Sequence, residues 1–311
     1  DSMSFDEVDV GTIWMDGEFV DWDDAQIHVL THGLHYGTGI FEGVRCYDTE
    51  YGPALFRWEE HLDRFYSSGR PYDLDIPFSR EELTEATLEL IRREGLESCY
   101  VRPVAFFGYG SLGVSPEDCP IQTAIAAWPW GTYLGEEALE NGVEVMVSSW
   151  RKHASSQIPT NAKTTGLYVN SLLAGEEARR NGFTEAIVLN KEGQVAEGPG
   201  ENIFLVRDDE LYTPGLSQSI LDGITRQTVI TLAEERGYTV HDQATISRGE
   251  LHTADELFFS GTAAEVTPIR KVGNVEISER GPGDEELQSA FFDRSERRTD
   301  DHDGGVTDIE S

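Results

Sequence analysis

Lysine is scarce in this chain. Only Lys152, Lys163, Lys191 and Lys271 occur, and every other permanent cation is arginine. Cations as a whole are few: 24 Lys+Arg stand against 58 Asp+Glu, a formal net charge of −34. A surface this acidic repels nucleic-acid phosphates and anionic lipid, which excludes both classes of partner. An acidic, lysine-poor surface suits very high salt, where the Debye length shrinks to ~3 Å and self-repulsion is screened. The source therefore reads as salt-adapted. Cysteine is scarce too: Cys46, Cys99 and Cys119 are odd in number and show no C-x-x-C spacing. Neither a disulfide framework nor a cysteine zinc site is expected. No apolar run reaches about 18 residues, and Asp1–Asp9 is acidic rather than basic then apolar. No membrane span or signal peptide is expected, and the default location is cytoplasmic. A Gly-x-Ser-x-Gly nucleophile elbow and a G-x-G-x-x-G dinucleotide fingerprint are also missing.

What is present suffices for a folded core. The 311 residues are 38% hydrophobic, too apolar for a chain disordered throughout. Thr12–Phe19 reads as a hairpin turning at Asp16-Gly17. Glu59–Gly69 and Arg80–Gly95 read as helices; in the second, Leu83, Ala86, Thr87, Leu90 and Ile91 recur at helical spacing before Gly95 stops it. Tyr100–Tyr109 and Gln122–Trp128 read as strands, and Pro129–Gly135 as a linker loop. Beyond it lie the strand Gly142–Ser149, a polar stretch Arg151–Thr165 and the helix Tyr168–Asn181. Three strands follow at Glu185–Asn190, Ile203–Val206 and Glu210–Thr213, then the helix Thr225–Arg236 and the strand Leu257–Ser260. Strands and helices intermix without βαβ alternation, so the expected class is α+β. The end, Asp293–Ser311, is charged and aperiodic and reads as a mobile tail.

Several stretches carry chemistry. Ile158–Tyr168 keeps a lysine, Lys163, where the chain otherwise prefers arginine. An amine can lose its proton and form a Schiff base; a guanidinium cannot. Lys152, Lys191 and Lys271 read as solvated, Lys152 because Arg151 adjoins it. Glu197-Gly198-Pro199-Gly200-Glu201-Asn202 sets two carboxylates on a tight turn before a strand. Leu221–Arg226 opens a helix, where free N–H groups bind phosphate unless Asp222 simply caps it. Ser260–Glu265 places small residues after a strand, as an anion-binding turn would. Tyr100 and Arg102 face one side of their strand and suit a carboxylate, although an acidic neighbour could equally claim the arginine. His28, His32 and His35 lie in a strand or loop and do not converge on a metal.

Taken in order, Tyr36–Tyr47, His61–Arg64, Tyr100–Pro103, Pro129–Tyr133, Lys163…Tyr168, Glu197–Asn202, Gly223–Arg226 and Ser260–Glu265 resemble the branched-chain amino acid aminotransferases. These belong to the class IV, fold-type IV pyridoxal-phosphate enzymes. The resemblance runs from about Ile13 to Phe292. It implies a small α/β domain (1–128), an interdomain loop (129–138), a larger pseudo-barrel domain (139–292) and the tail (293–311), with the cofactor between the two domains. It also implies roles. Lys163 would be the Schiff-base lysine and then the base that moves the 1,3-proton. Glu197 would keep the pyridine nitrogen protonated, making the ring a stronger electron sink. Tyr168 would bond the phenolic oxygen. Arg64, Ile224, Thr225 and Thr262 would hold the phosphate, with Leu221 also in the cofactor-binding set.

Thr262 and Ala263, with Tyr100, would take the substrate α-carboxylate. Arg102 would take the second carboxylate of glutamate, aided by Tyr36 and Tyr133. Phe41, Trp130 and Tyr133 would line the apolar pocket, and Arg45 belongs to the same substrate-binding set. The implied reaction is reversible transamination of Leu, Ile or Val with 2-oxoglutarate, ping-pong through pyridoxamine phosphate, in a homodimer or homohexamer. Small-molecule amino acids and 2-oxo acids are the implied partners. The competing readings are other class IV activities: a D-amino acid or amine transaminase, or aminodeoxychorismate lyase. A non-enzymatic acidic scaffold is a further alternative. Arg45 and the Tyr100/Arg102 pair favour the branched-chain reading. One departure is clear: the family usually ends in an aromatic segment packed on the body, whereas Asp300–Ser311 holds no aromatic.

Overall fold

A computed structural model describes Val8 and residues 10–131, 134–277, 281–298 and 305–309. The chain forms two compact units, and they are not contiguous in sequence. The first takes the chain through Gly131, then Ala162–Gly166, then the chain from Ser295; the second takes Thr132–Asn161 and Leu167–Arg294. Lys163 thus belongs with the N-terminal half, not with the segments that flank it.

The first unit comprises β1 (Thr12–Met15), β2 (Glu18–Asp21), α1 (His32–Tyr36), β3 (Gly39–Phe41), β4 (Val44–Thr49), β5 (Gly52–Phe56), α2 (Trp58–Gly69), α3 (Arg80–Glu94), β6 (Cys99–Phe107) and β7 (Ile121–Trp128). Its sheet runs β5-β4-β6-β7-β1-β2, with β3 also on β6, and all pairs are antiparallel. The spacing in α3 does what it predicts: Leu83, Ala86, Thr87, Leu90 and Ile91 are its buried residues. Ser79 and Glu82 form a capping box at its start, and Gly95 ends it in the left-handed region at φ 60°. With Trp58, Leu62 and Phe65 of α2 these residues cover Val44, Leu55, Val101 and Ile125 of the sheet. The stretch of His28, His32 and His35, expected as strand or loop, is partly helical. His32 is buried on α1, its ring nitrogens 2.7 Å from Thr38 Oγ1 and 2.9 Å from Gly113 O.

The C-terminal tail is corrected in its described part. Asp293–Ser295 still belongs to a helix, and Val306–Asp308 adds an antiparallel strand to the open edge of β5. Ile309 is 2% exposed in the core, and its carbonyl accepts from Arg92 Nε at 2.6 Å. An edge strand carries unsatisfied backbone donors and acceptors, so a short β-compatible segment can be drawn onto it even from a charged tail. One aliphatic side chain, Ile309, packs into the core from a tail segment that holds no aromatic.

The second unit comprises α4 (Glu136–Asn141), β8 (Val143–Arg151), α5 (Tyr168–Arg180), β9 (Glu185–Leu189), β10 (Val195–Glu197), β11 (Asn202–Arg207), β12 (Glu210–Pro214), α6 (Ile224–Glu235), β13 (Thr239–Ala244), β14 (Glu256–Gly261), β15 (Glu265–Val272) and α7 (Pro282–Ser295). Its mixed sheet is ordered β10-β9-β8-β15-β14-β11-β12-β13. The β8–β9, β8–β15 and β12–β13 pairs are parallel. Strands such as β9 and β11 are buried along nearly their whole length, as expected where both sheet faces are covered. Helix and sheet mixed this way place the chain in the expected α+β class.

Candidate active site

In the first unit the Lys163 segment is tied to the sheet by backbone bonds. Phe41 N donates to Lys163 O at 3.1 Å, Lys163 N donates to Ser68 Oγ at 3.0 Å, and Thr164 bridges Ile40. Gly166 N and Thr165 Oγ1 both donate to Gly37 O. The chains touch so closely that a Cβ on Gly37 would lie 2.6 Å from Gly166 Cα, and φ there is +64°. This is why two glycines face each other at this crossing.

The Lys163 amine lies 4.8 Å from the Phe41 ring centroid, and the Arg102 guanidinium carbon lies at the same distance from that ring. Burial, then the charges of Arg64 and Arg102, pull Lys163 down to about 8; Glu42 and Tyr100 pull the other way. A buried lysine with cations nearby holds a substantial uncharged fraction near neutrality, the form that attacks a carbonyl.

Arg64 comes from α2 and is anchored by an acid from the β3–β4 turn. Its Nε and Nη2 donate to Glu42 at 2.6 and 2.9 Å. His61, one helical turn earlier, places Nδ1 2.8 Å from Glu42 Oε2, and Gly43 N donates to the same oxygen at 3.2 Å. Burial opposes ionisation of Glu42. The Arg64 charge and the hydrogen bonds together outweigh it and hold the carboxyl well below the ordinary carboxylate range. Burial takes His61 below the ordinary imidazole value despite the Glu42 contact, so the ring is a neutral Nδ1–H donor.

Around Phe41 the remaining residues form a wall. Tyr100, Trp128 and Trp130 make a ring cluster with centroids 4.8 to 5.5 Å apart. Arg102 Nη2 donates to Tyr100 Oη at 3.2 Å, and its buried Nε has no partner among the described residues. Arg45, expected among the substrate-binding residues, turns instead to the loop backbone. Its Nη1 donates to the carbonyls of Trp130 and Gly131 at 3.3 and 3.0 Å, which pins the loop that carries Trp130. Tyr36 sits at the end of α1, 44% exposed, donating to Leu112 O at 2.9 Å. Tyr133 lies outside the described residues.

A Cβ on Gly43 would stand 1.7 Å from Tyr100 Oη. Gly43→Ala should therefore displace Tyr100 and with it the Arg102 bond. The expected result is a KM for a dicarboxylate substrate raised about tenfold or more with little loss of melting temperature. An unchanged KM would show that the hydroxyl is not needed there.

The second unit gathers a different set. Glu197 ends β10 and is 5% exposed. Its Oε2 accepts from Asn202 Nδ2 and Leu221 N, both at 3.1 Å, and Asn202 Nδ2 also donates to Leu221 O. Its Oε1 lies 2.6 Å from Lys152 Nζ. Lys152, expected to be solvated, is instead a partly buried partner of the acid. Tyr168 opens α5 and contributes to the electrostatics of Lys152. Ile224 and Thr225 open α6, where Gly223, not Asp222, is the cap residue and has no side chain to cap with. Asp222 instead faces Arg226 Nη1 at 3.4 Å. Thr262 and Ala263 form the turn between β14 and β15, next to the buried Ser260, whose Oγ has no partner among the described residues. A glycine-capped helix start and a small-residue turn are both backbone settings suited to anions.

Residues 39–272 match the family described as Amino-transferase class IV. The chain is a class IV aminotransferase. It is 49% identical to the branched-chain-amino-acid aminotransferase of Pseudomonas aeruginosa, over 94% of this chain and 95% of that protein. Among solved structures, the Escherichia coli branched-chain amino acid aminotransferase superposes with a TM-score of 0.94 at 46% identity, covering 96% of this chain and 99% of that one. The branched-chain amino acid aminotransferase of Thermobaculum terrenum, solved in its PLP-form, gives 0.89 at 31%, covering 96% of this chain and 98% of that one. For an aminotransferase, an amine held at about 8 is the expected central group. Sequence reasoning passed over Glu42, His61 and Lys152. The first two stand inside the motifs that carry the resemblance, and His61 and Arg64 share one helix face. Lys152 gave a single clue, being one of only four lysines.

Proposed function

We propose that this aminotransferase reversibly transfers the amino group between branched-chain L-amino acids and 2-oxoglutarate, with pyridoxal 5'-phosphate as cofactor and pyridoxamine phosphate as the alternate form. The observation that carries the reading is the grouping of Lys163, Phe41, Tyr100 and Arg102 in the first unit: a neutralisable amine and a cation at an aromatic wall. Such a wall accepts a leucine side chain, and the guanidinium at its rim accepts the second carboxylate of glutamate. The donor set fits the cofactor. Lys163 suits its aldehyde, Glu197 its ring nitrogen, and the glycine-capped start of α6 its phosphate. The bound cofactor supplies an electron-withdrawing ring and a carbon that exchanges its oxygen for the amino group.

The chain's residues do the rest. Lys163 Nζ would hold and move the proton that leaves the substrate Cα. Glu197 would face the ring nitrogen, and Tyr168 would donate to the phenolic oxygen. Arg64, Ile224, Thr225 and Thr262 hold the phosphate, with Leu221 keeping Glu197 in place. Thr262 and Ala263 amides, with Tyr100, hold the α-carboxylate, and Arg102 the distal one, with Tyr36 and Tyr133 assisting. Trp130 and Phe41 line the apolar side, behind which Arg45 braces the loop.

The same reading includes a homo-oligomer, a cytoplasmic location and a salt-adapted source. Val29, Leu34 and Val114 are 68%, 61% and 80% exposed, and the Tyr36–Leu112 hydrogen bond joins the segments that bear them. A second copy would cover such a surface. The net charge of −34 supports salt adaptation. No helix among the described residues is long and apolar enough to cross a membrane.

An amino-donor panel at high and low salt tests these points together. L-Leu, L-Ile, L-Val and L-Glu should react, D-Ala should not, and both activity and assembly should weaken as salt is withdrawn. Turnover of D-Ala without L-Leu would reject the substrate reading; full activity and assembly in dilute buffer would reject salt adaptation.

A further inference from the structure

We infer that Lys152 is a positioning residue for the reaction, holding Glu197 as an oriented carboxylate. The inference rests on the proposed role of Glu197 at the cofactor's ring nitrogen. Its foundation is geometry within the second unit. Lys152 follows β8 directly, and its backbone N donates to Leu189 O of β9 at 2.9 Å. That bond fixes the root of the side chain beside the strand that pairs with β10. The ammonium then reaches Glu197 Oε1 at 2.6 Å with only 17% of the side chain exposed.

The two oxygens of Glu197 are used differently. Oε2 is held by two neutral donors, Asn202 Nδ2 and Leu221 N. Oε1 meets a full positive charge. Neutral hydrogen bonds orient a carboxylate but do not balance its charge, and a buried carboxylate without a balancing charge is costly. Lys152 supplies that balance. Burial works against its own charge, yet the charge and hydrogen bond of Glu197 raise its affinity for the proton above the ordinary lysine value.

Other ionisable groups around Glu197 do not compete for the ammonium. Glu201 is pushed well above the ordinary range by burial and then by Glu185, and Glu185 is pushed up to about 7, again by burial first. Burial thus disfavours the charged form of both, which weakens their pull on the ammonium. Arg226 feels Glu197, but its Nη atoms go to Asp222, Pro214 O and Asp242 O. Tyr168 contributes to the charge environment of Lys152 from α5.

The chain's own composition points the same way. Cations here are overwhelmingly arginine, and two of the four lysines, Lys163 and Lys152, are partly buried instead of lying open on the surface. An ammonium there delivers one point charge to one oxygen and leaves Oε2 to Asn202 and Leu221.

The test compares the Lys152→Met, Lys152→Arg and Glu197→Gln holoenzymes. Three quantities are read: the pH titration of the bound cofactor's absorption band, the cofactor dissociation constant, and kcat and KM for L-Leu. Lys152→Met should move the absorption titration in the same direction as Glu197→Gln and lower kcat roughly 10- to 100-fold with little change in KM. Lys152→Arg should restore most of the kcat, because it restores the charge. The double variant should be no worse than Glu197→Gln alone, since both changes remove one interaction. A Lys152→Met protein that melts earlier but keeps the wild-type absorption titration would overturn the inference and leave the role of Glu197 standing. If neither Lys152→Met nor Glu197→Gln moves the titration, the role of Glu197 itself fails, and the inference with it.

Discussion

Replacing Lys163 by Ala should reduce transamination of L-Leu by about 10⁴-fold or more, because the variant loses both the nucleophile and the proton carrier. Pyridoxal phosphate should still bind, since Arg64 and the start of α6 are untouched, but it should be removable by dialysis. Lys163→Arg should be as inactive as the Ala variant, because a guanidinium stays protonated and cannot attack an aldehyde. The pH dependence of cofactor uptake gives the physical reason its own check. Burial, Arg64 and Arg102 pull the amine from 10.5 to about 8. The uncharged form is the reactive one, so the rate at which the apoprotein takes up the aldehyde should climb through pH 8 and level off above it. A climb centred near the ordinary lysine value of 10.5 would refute the electrostatic account of this site. An active Lys163→Ala enzyme would refute the assignment altogether.

Glu42 should have the next largest effect, and on stability as well as activity. It is 1% exposed and accepts from Arg64, His61 and Gly43 N. Removing the carboxylate leaves Arg64, 13% exposed, without its principal acid, and breaking a buried pair in this way costs about 3–5 kcal/mol. The Glu42→Ala protein should melt well below wild type, and Glu42→Gln, which keeps the shape, should fall between them.

The sign of the pH effect follows from the direction of the shift. Glu42 is depressed in the folded state relative to its ordinary value of 4.5. Its contribution is therefore present in full above that value and lost progressively as pH falls below it. Wild type should lose more stability than Glu42→Gln between about pH 5 and pH 2. Parallel melting curves for the two proteins over that window would show that the Glu42–Arg64 pair adds nothing. Loss of Arg64's anchor should also weaken phosphate retention, seen as a raised cofactor dissociation constant in Glu42→Gln.

Much of the local structure was legible. The five-residue buried face of α3, four of them apolar, and its Gly95 stop are encoded within the helix itself, so spacing alone sufficed. The hairpin of β1 and β2 turns at Asp16-Gly17, where the chain needs positive φ at both positions, and those residue types tolerate it. Where a feature depended on partners far along the chain, local reading failed. Nothing near Lys152 marks it as buried, because its partner Glu197 is brought to it by the parallel pairing of β8 with β9 and the return of β10. Nor does anything near Arg45 mark the carbonyls of Trp130 and Gly131 as its partners, because they lie some 85 residues further along the chain. The charged tail hides a short strand whose place is defined by the open edge of β5.

By itself, the sequence determined which groups exist for chemistry. In a chain with four lysines and a net charge of −34, a lysine kept where arginine is the usual cation is already a candidate nucleophile, because only an amine can shed its proton. It also determined the order of the motifs, and through them the family. Only the tertiary structure decided the state of those groups. Whether Lys163 is a reactive amine depends on burial and on Arg64 and Arg102, which arrive from a separate helix and strand. Whether Glu197 is an oriented carboxylate depends on Lys152, Asn202 and Leu221. Charge energies in a protein interior scale with distance and solvent exclusion, and both are properties of the fold rather than of the neighbouring residues in the chain.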